Sequence, residues 1–177
     1  MSRSPSPASG FQRIFPATLF ATGFQRPPLS HMTLAGLGGG IGIGALGALS
    51  ILSGSALLMA PLGATAVLVF GLPDSPLSQA RHVIGGHALA MGVGLLCLFL
   101  FGNGLAGIAI GSGLAIGLML ATRTVHPPAG ANPLLLMLTG AGAGDAALHI
   151  ALPGVAGAAF LYVIARLTNR LAAGPAA

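Results

Sequence analysis

Long apolar runs that carry almost no charge constrain the fold of this chain more than any other feature. A helix rises about 1.5 Å per residue, so crossing a hydrocarbon core of about 30 Å takes roughly 20 apolar residues. Residues 32–54, 83–101 and 104–122 reach that length, and residues 146–165 do so with a bend expected at Pro153. Charged residues make up only 5% of the chain, far below the share in soluble domains. The sequence therefore predicts an all-α integral membrane protein, a helical bundle with four long transmembrane helices.

Two further apolar stretches are too short to cross a bilayer comfortably. Residues 57–72 and 127–139 are each interrupted by proline and glycine, which predicts short or broken membrane helices. Irregular backbone at membrane depth persists only where protein or a polar cavity satisfies its hydrogen bonds. Paired broken segments of this kind often form the solute site of a transporter. We therefore expect the functional site to lie where these two segments meet.

An offset of 67 residues aligns the two short segments with each other. Residues 61–68 and 128–135 are identical at four of eight positions under this offset. The match predicts two repeats of three segments each, in residues 32–101 and 104–166.

The distribution of arginine gives two schemes for the topology. If all six segments cross, all seven arginines lie on one side, which the positive-inside rule makes cytoplasmic. If the short segments dip in and return, Arg81 and Arg123 lie on the opposite side. We prefer six crossings, which makes the repeats inverted, and both schemes leave the termini in the cytoplasm. The prediction is a transmembrane domain at 31–170 in a bacterial inner membrane, between cytoplasmic tails at 1–30 and 171–177.

The starts of the two short segments are the predicted binding elements. Pro127 and Pro128 end the preceding helix, and Pro133 is suited to the first turn of a new one. The free N–H groups and the dipole of a helix N-terminus attract anions. Residues 63–65 and 130–132 are therefore predicted to bind a small anion between them.

Charged and titratable side chains around these starts complete the predicted site. Polar groups inside a membrane are expensive, so His87 is a functional candidate, although a histidine bonded to a backbone carbonyl is an equal interpretation. Arg81 and Arg123 would attract the anion at the cytoplasmic mouth, unless they are only interfacial anchors. His87 or His126 would carry a coupled proton, because imidazole titrates near neutral pH. The full set of predicted substrate-binding residues is Gly63, Ala64, Thr65, Arg81, His82, His87, Arg123, His126, Pro127, Pro128, Gly130, Ala131 and Asn132.

Several functional classes lack the residues they need. The two carboxylates, Asp74 and Asp145, lie outside the predicted spans, so a carboxylate relay for cations has no residue to use. No serine elbow, P-loop or thiol pair is present, so we expect neither an enzyme nor a cofactor. The histidines lack paired i, i+4 spacing and Cys97 is the only cysteine, so we expect no metal site. The arginines are scattered without interleaved aromatic residues, which argues against nucleic acid as a partner.

Four motifs in the centre of the chain resemble the HPP family of integral membrane proteins. They are Ala-Pro-Leu-Gly-Ala-Thr-Ala-Val-Leu-Val-Phe-Gly at 60–71, Ser-Pro-Leu-Ser-Gln at 75–79, Val-Ile-Gly-Gly-His at 83–87, and His-Pro-Pro-Ala-Gly-Ala at 126–131. The last contains the His-Pro-Pro motif for which the family is named. Members are similar to nitrite carriers of plastids and cyanobacteria, while many bacterial members have no assigned substrate. The resemblance implies transport of a nitrite-type anion.

The prediction is thus a membrane transporter of small inorganic anions, with nitrite as the leading candidate. A passive anion channel is one alternative. A membrane scaffold or sensor that binds a ligand or partner without moving solute is another. The surrounding lipid bilayer is the expected partner in every case.

Glycines spaced four apart predict close approach of helices in lipid. Gly36, Gly40 and Gly44 share one helix face, as do Gly107 with Gly111 and Gly113 with Gly117. We interpret these faces as sites of tight internal packing, with contact between copies of the chain as the alternative.

Overall fold

The computed structural model describes residues 26–173. Within them, four helices are long and apolar enough to cross a membrane, which confirms the predicted fold class. Most of the predicted N-terminal tail lies outside the described residues. The long helices are α1 (Leu29–Ser53), α3 (Ala80–Phe101), α4 (Leu105–Thr122), and a fourth span made of α6 (Ala143–Ala146), a π-helical turn (Ala147–Ala151) and α7 (Leu152–Ala173).

The two short segments form the helices α2 and α5. Helix α2 covers Ala60–Gly71, and α5 covers Asn132–Leu138 directly after a 3-10 turn at Pro127–Ala131. Each of these elements begins with proline in its first turn, where the missing N–H costs nothing. The 12 residues of α2 span about 18 Å, too little for a crossing, and the non-helical residues 54–59 precede it.

One end of the bundle gathers the starts of α1 and α3 and the ends of α2 and α4. His31 Nε2 lies 3.3 Å from the carbonyl oxygen of Gly71. Arg81 Nη2 donates to the carbonyl oxygen of Thr122 at 2.8 Å. Consecutive segments in this half of the chain therefore run in opposite directions.

The fourth span begins at the opposite end and returns to this one. Because Pro153 has no N–H, the carbonyl of His149 lacks its usual helical donor, and the amide of Ala56 donates to it at 3.1 Å. The helix departs from α geometry in the π-helical turn just before Pro153, where the sequence predicts a bend. At the far end of α7, Asn169 Nδ2 donates to the carbonyl oxygen of Val69 at 2.9 Å.

Helix α5 approaches the opposite end as well. A side chain at Gly107, near the start of α4, would stand 3.5 Å from the sulfur of Met137, near the end of α5. The six segments therefore alternate in direction, which is the arrangement that the six-crossing scheme requires. The described arginines all lie near one end of the bundle: Arg26, Arg81, Arg123, Arg166 and Arg170.

The prediction that one glycine face of α1 packs inside the bundle is wrong for the three glycines named. Its members leave open space where a side chain would stand: Gly36, Gly40 and Gly44. The packed face carries Gly38 and Gly42 instead, both of which would place a Cβ within 3.3 Å of the ring of Phe70. Four-residue spacing occurs on both faces of this glycine-rich helix, so the spacing alone does not identify the inner one.

On α4 the glycine prediction is confirmed for one pair. Gly107 and Gly111 are buried and pack toward Met137, whereas Gly113 and Gly117 have open space around them.

Candidate functional site

Four polar side chains meet in the interior of the bundle, and each is 0% exposed: Thr65, His87, His126 and Asn132. We call them the Thr65 cluster. Thr65 lies in the first half of α2, His87 in α3, His126 just before the 3-10 turn, and Asn132 at the start of α5. The two short segments thus meet through their polar side chains.

Thr65 is the centre of the cluster. Its Oγ1 atom lies 2.9 Å from Nε2 of His87 and 3.0 Å from Nε2 of His126. The carbonyl oxygen of Pro61, one turn earlier in α2, is also 3.0 Å away. Asn132 Nδ2 lies 3.0 Å from the other nitrogen of the His87 ring, Nδ1.

A fixed donor at one end and a fixed acceptor at the other set the direction of these hydrogen bonds. His126 Nδ1 lies 2.9 Å from the carbonyl oxygen of Leu77, which only accepts, so Nδ1 donates. The amide nitrogen of Asn132 only donates, so Nδ1 of His87 accepts. A neutral imidazole has one N–H, and the network therefore assigns the protons. The chain of donation runs from Asn132 to His87, then to Thr65, His126 and finally Leu77.

One buried atom of the cluster lacks a partner among the described residues. It is Oδ1 of Asn132, the acceptor half of the amide. A buried polar atom without a hydrogen bond costs about 1–3 kcal/mol. The unsatisfied group is an acceptor, so the cluster offers a bound molecule a place for a hydrogen-bond donor.

A glycine brings α3 close to the cluster. A Cβ at Gly86 would stand 2.8 Å from Cβ of His126 and 2.8 Å from the carbonyl oxygen of Thr124. Contacts this short with backbone leave no room for a side chain. Gly86 therefore permits the close approach of the chain around His126 to α3.

Comparison with known proteins identifies the family. Residues 24–176 match the model of the HPP transmembrane region. The chain belongs to the HPP family. Two proteins of Dictyostelium discoideum, both described as transmembrane proteins, are 32% and 29% identical to it over 119 residues. That stretch is 65% of this chain and 42% and 38% of those proteins, so the chain matches about two fifths of their length. No solved structure matches the chain significantly.

The His-Pro-Pro motif of this HPP domain has two roles, one in the cluster and one in the backbone. His126 supplies the ring that contacts Thr65, while Pro127 and Pro128 open the 3-10 turn that leads into α5. His126 lies outside the spanning segments. Burial lowers its pKa below the usual value, opposed by the hydrogen bond to Leu77 and reinforced by His82.

The backbone amides at the helix starts are already engaged. The amides of Leu62 and Gly63 donate to the carbonyl of Met59 at 2.9 and 3.3 Å. In the second segment the two prolines have no N–H, and the amide of Ala129 donates to the carbonyl of His126 at 2.9 Å. The amide of Asn132, at the start of α5, likewise donates to the carbonyl of Ala129. At these positions the backbone donors are engaged within their own turns, and the side chains are the distinctive feature of the site.

The structure brings some of the predicted site residues together and separates others. Besides the Thr65 cluster, Pro128 is buried, and His82 and Gly130 are half-buried. The remaining predicted residues are exposed: Gly63, Ala64, Arg81, Arg123, Pro127 and Ala131.

Two predicted side chains outside the cluster bind backbone carbonyls. Arg81 donates to Thr122 at the end of α4, and His82 Nδ1 donates to Val125 at 2.8 Å. The carbonyl interpretation that the sequence leaves open for His87 thus describes its neighbour His82. The ring nitrogens of His87 instead contact the side chains of Thr65 and Asn132.

Sequence reasoning misses three parts of the site. The carbonyls of Pro61 and Leu77 carry no signal in the side-chain pattern, because every residue has one. Gly86 has a weak signal, since it stands directly before His87 within an apolar run.

Proposed function

We propose that this HPP protein transports a small inorganic anion across the membrane together with a proton, and that nitrite is the leading candidate. One observation carries the proposal: two short, proline-started segments meet inside the bundle through four fully buried polar side chains. Three of the four, Thr65, His87 and Asn132, lie within the membrane segments, where polar groups are costly and persist mainly at solute or proton pathways.

The hydrogen bonding of the cluster favours a proton as the ion transported together with the anion. Its unsatisfied atom, Asn132 Oδ1, is an acceptor, so a bare anion finds no free donor there. The carboxylate in the described spans, Asp145, is exposed in the first turn of the fourth span and is not part of the cluster, so the cluster has no carboxylate to hold a coupled cation. Two imidazoles joined through Thr65 are the groups able to take up a positive charge as the anion passes.

The arginines support approach of the anion from one side. All five described arginines lie near the end of the bundle at which α3 begins. A surface of one sign raises the local concentration of the opposite ion. Under the positive-inside rule this end is cytoplasmic, in the inner membrane of a bacterium, and the termini are on the same side. Arg123 is exposed, whereas Arg81 is held by the carbonyl of Thr122.

Uptake into proteoliposomes tests the proposal. We expect reconstituted protein to accumulate nitrite faster than empty vesicles do, and faster still when the outside is more acidic than the inside. The matched pair Thr65→Val and Thr33→Val separates the cluster from general damage, because Thr33 is exposed and contacts only its own helix through Ser30. Uptake no faster than that of empty vesicles, for nitrite and for other small anions alike, contradicts the proposal.

Two rival functions give different results in the same preparation. A passive channel passes thousands of ions in each opening and does not accumulate the anion against a gradient. A scaffold or sensor, the alternative without transport, leaves anion flux and binding unchanged in Arg123→Ala and His126→Ala. Neither rival, nor the transporter, implies an enzymatic activity.

Contact between copies of the chain remains a prediction for the open glycine face of α1. An apolar groove of about 460 Å³ lies between α1 and α2, and Gly36, Gly40 and Phe70 are among its lining residues. A helix of a second copy would fit such a face because small residues let backbones approach closely. The mass of the purified particle, compared between the wild type and Gly40→Leu, tests for this contact.

A further inference from the structure

We propose that His126, rather than His87, takes up the coupled proton, and that the Thr65 hydroxyl permits this by turning from His126 to the carbonyl of Pro61. The inference deepens the proposed function by assigning the proton to a named nitrogen, Nε2 of His126. The link between protonation and the anion rests on the proposed function. The assignment of the proton to His126 does not, because the site of protonation is measured separately.

A second proton on His87 leaves a buried donor without its acceptor. Its Nε2 already carries the hydrogen donated to Thr65, and its Nδ1 accepts the amide N–H of Asn132 at 3.0 Å. A proton added at Nδ1 would point at the NH2 group of Asn132. Two donors would then face each other in a fully buried place, which is a costly arrangement for polar groups. If the amide turned to present Oδ1 instead, its NH2 group would leave both of its acceptors, Nδ1 and the carbonyl oxygen of His87.

His126 can gain a proton while every donor around it keeps an acceptor. Its Nε2 accepts from the Thr65 hydroxyl, and that hydroxyl has a second acceptor, the carbonyl of Pro61, at the same distance of 3.0 Å. When a proton binds to Nε2, the hydroxyl donates to Pro61 and its oxygen accepts from both rings. An oxygen with two lone pairs can accept both bonds. One N–H bond forms, no other covalent bond changes, and every donor keeps an acceptor.

The charge that results has no acidic partner in the surrounding elements. Helices α2, α4 and α5 and the 3-10 turns at Pro76–Ser78 and Pro127–Ala131 contain no titratable side chain. From α3, His87 lies with its ring centroid 5.4 Å from that of His126, and His82 acts on His126 electrostatically. A charged imidazole surrounded only by neutral rings lacks the counter-ion that a buried charge needs. A small anion that enters with the proton would supply it, which links protonation to anion binding.

Nitrogen-15 NMR of histidine-labelled full-length protein in lipid bilayers tests the inference. At pH 7.5 we expect His126 to carry its hydrogen on Nδ1 and His87 to carry its hydrogen on Nε2. As the pH falls, Nε2 of His126 should gain a proton before His87 changes. Single His→Gln variants assign each signal, and exposed His149 serves as the reference outside the cluster.

The hydroxyl is tested by a matched pair at Thr65. Thr65→Val keeps the shape of the side chain but removes the acceptor for the charged ring, so the midpoint of the His126 titration should fall by about one to two pH units. Thr65→Ser keeps the hydroxyl and should keep the midpoint. Protonation of His87 first, or an unchanged His126 midpoint in Thr65→Val, overturns the inference.

Failure of the inference and failure of transport are distinguishable. If the expected proton positions and midpoints are found but no anion is taken up, His126 remains the proton-binding group and the transport proposal is wrong. If nitrite is taken up while His126 does not titrate before His87, transport stands and the proton assignment is wrong.

Discussion

Thr65 and Asn132 contact the same imidazole ring from its two sides. Thr65 Oγ1 lies 2.9 Å from Nε2 of His87, and Asn132 Nδ2 lies 3.0 Å from Nδ1. The two residues are also equivalent under the offset of 67 that aligns the short segments. The predicted inverted repeats would bring equivalent positions near the repeat axis together, and these two residues meet at a ring supplied by α3.

The first prediction concerns Asn132. In Asn132→Leu the ring of His87 loses its donor at Nδ1, but the substitution also removes the unsatisfied Oδ1 atom. The two effects oppose each other, so the free energy of unfolding should change by less than about 1 kcal/mol. Uptake should nevertheless fall by about tenfold or more, because the direction of the hydrogen-bond chain is no longer fixed at its start.

Uptake and thermal unfolding of Asn132→Leu are measured beside Asn103→Leu, which changes an exposed residue in the turn after α3. We expect the control to match the wild type in both assays. Normal uptake by Asn132→Leu would mean that this amide does not take part in transport.

The second prediction compares two glycines of α3. In a helix, alanine is ordinarily favoured over glycine by about 1 kcal/mol. At Gly92 a Cβ meets nothing within 4 Å, so Gly92→Ala should leave uptake unchanged and raise the melting temperature slightly. At Gly86 it meets Cβ of His126 and the carbonyl of Thr124 at 2.8 Å, so Gly86→Ala must push the two segments apart.

We expect Gly86→Ala to reduce uptake at least tenfold and to lower the melting temperature. The histidine signals of the folded fraction report the displacement directly, because the His126 hydrogen bond to Thr65 lengthens. Identical behaviour of the two alanine variants would show that the close approach of α3 is not required.

Much of the fold is predictable because length and hydropathy alone decide whether a segment can span a bilayer. The runs that predict α1, α3 and α4 overlap these helices almost completely, and proline marks the starts of α2 and the turn before α5. The boundaries differ by a few residues. Helix α1 begins at Leu29 and α7 extends to Ala173, because helix geometry continues past the apolar core into the interface.

The inner faces of the helices are less predictable, for a physical reason. Lipid and protein interior are both apolar, so hydrophobicity does not distinguish the buried side of α1 from the lipid-facing side. The sequence therefore does not tell Gly38, which packs against Phe70, from Gly40, which does not. The sequence likewise does not reveal the first-turn hydrogen bonds at the helix starts, such as that from the amide of Gly63 to the carbonyl of Met59.

The third prediction concerns Arg123, the exposed arginine that ends α4 in a left-handed conformation with φ of 56°. Loss of its charge should weaken attraction of the anion, so Arg123→Ala should raise the KM for nitrite by about threefold at low salt and leave kcat unchanged. The difference should shrink as ionic strength rises, because salt screens exposed charges. Arg123→Gly relieves the backbone and removes the same charge, so the two variants should agree. A change in Arg123→Gly alone would indicate an effect of the freed backbone rather than electrostatics.

The fourth prediction is a pH dependence of uptake that belongs to His126. Burial holds its pKa below the ordinary value for histidine, which is about 6.5. The ring is therefore neutral at pH 7.5 and gains its proton only as the pH falls below about 6.5. Uptake measured with a constant inside pH should increase as the outside pH is lowered from 7.5 to 5.5. His126→Gln cannot bind the proton, so any remaining uptake should not vary over this range, whereas His149→Gln, at an exposed position, should follow the wild-type profile. A wild-type profile in His126→Gln would place the coupled proton elsewhere, and a flat profile in the wild type would remove the proton from the transport cycle.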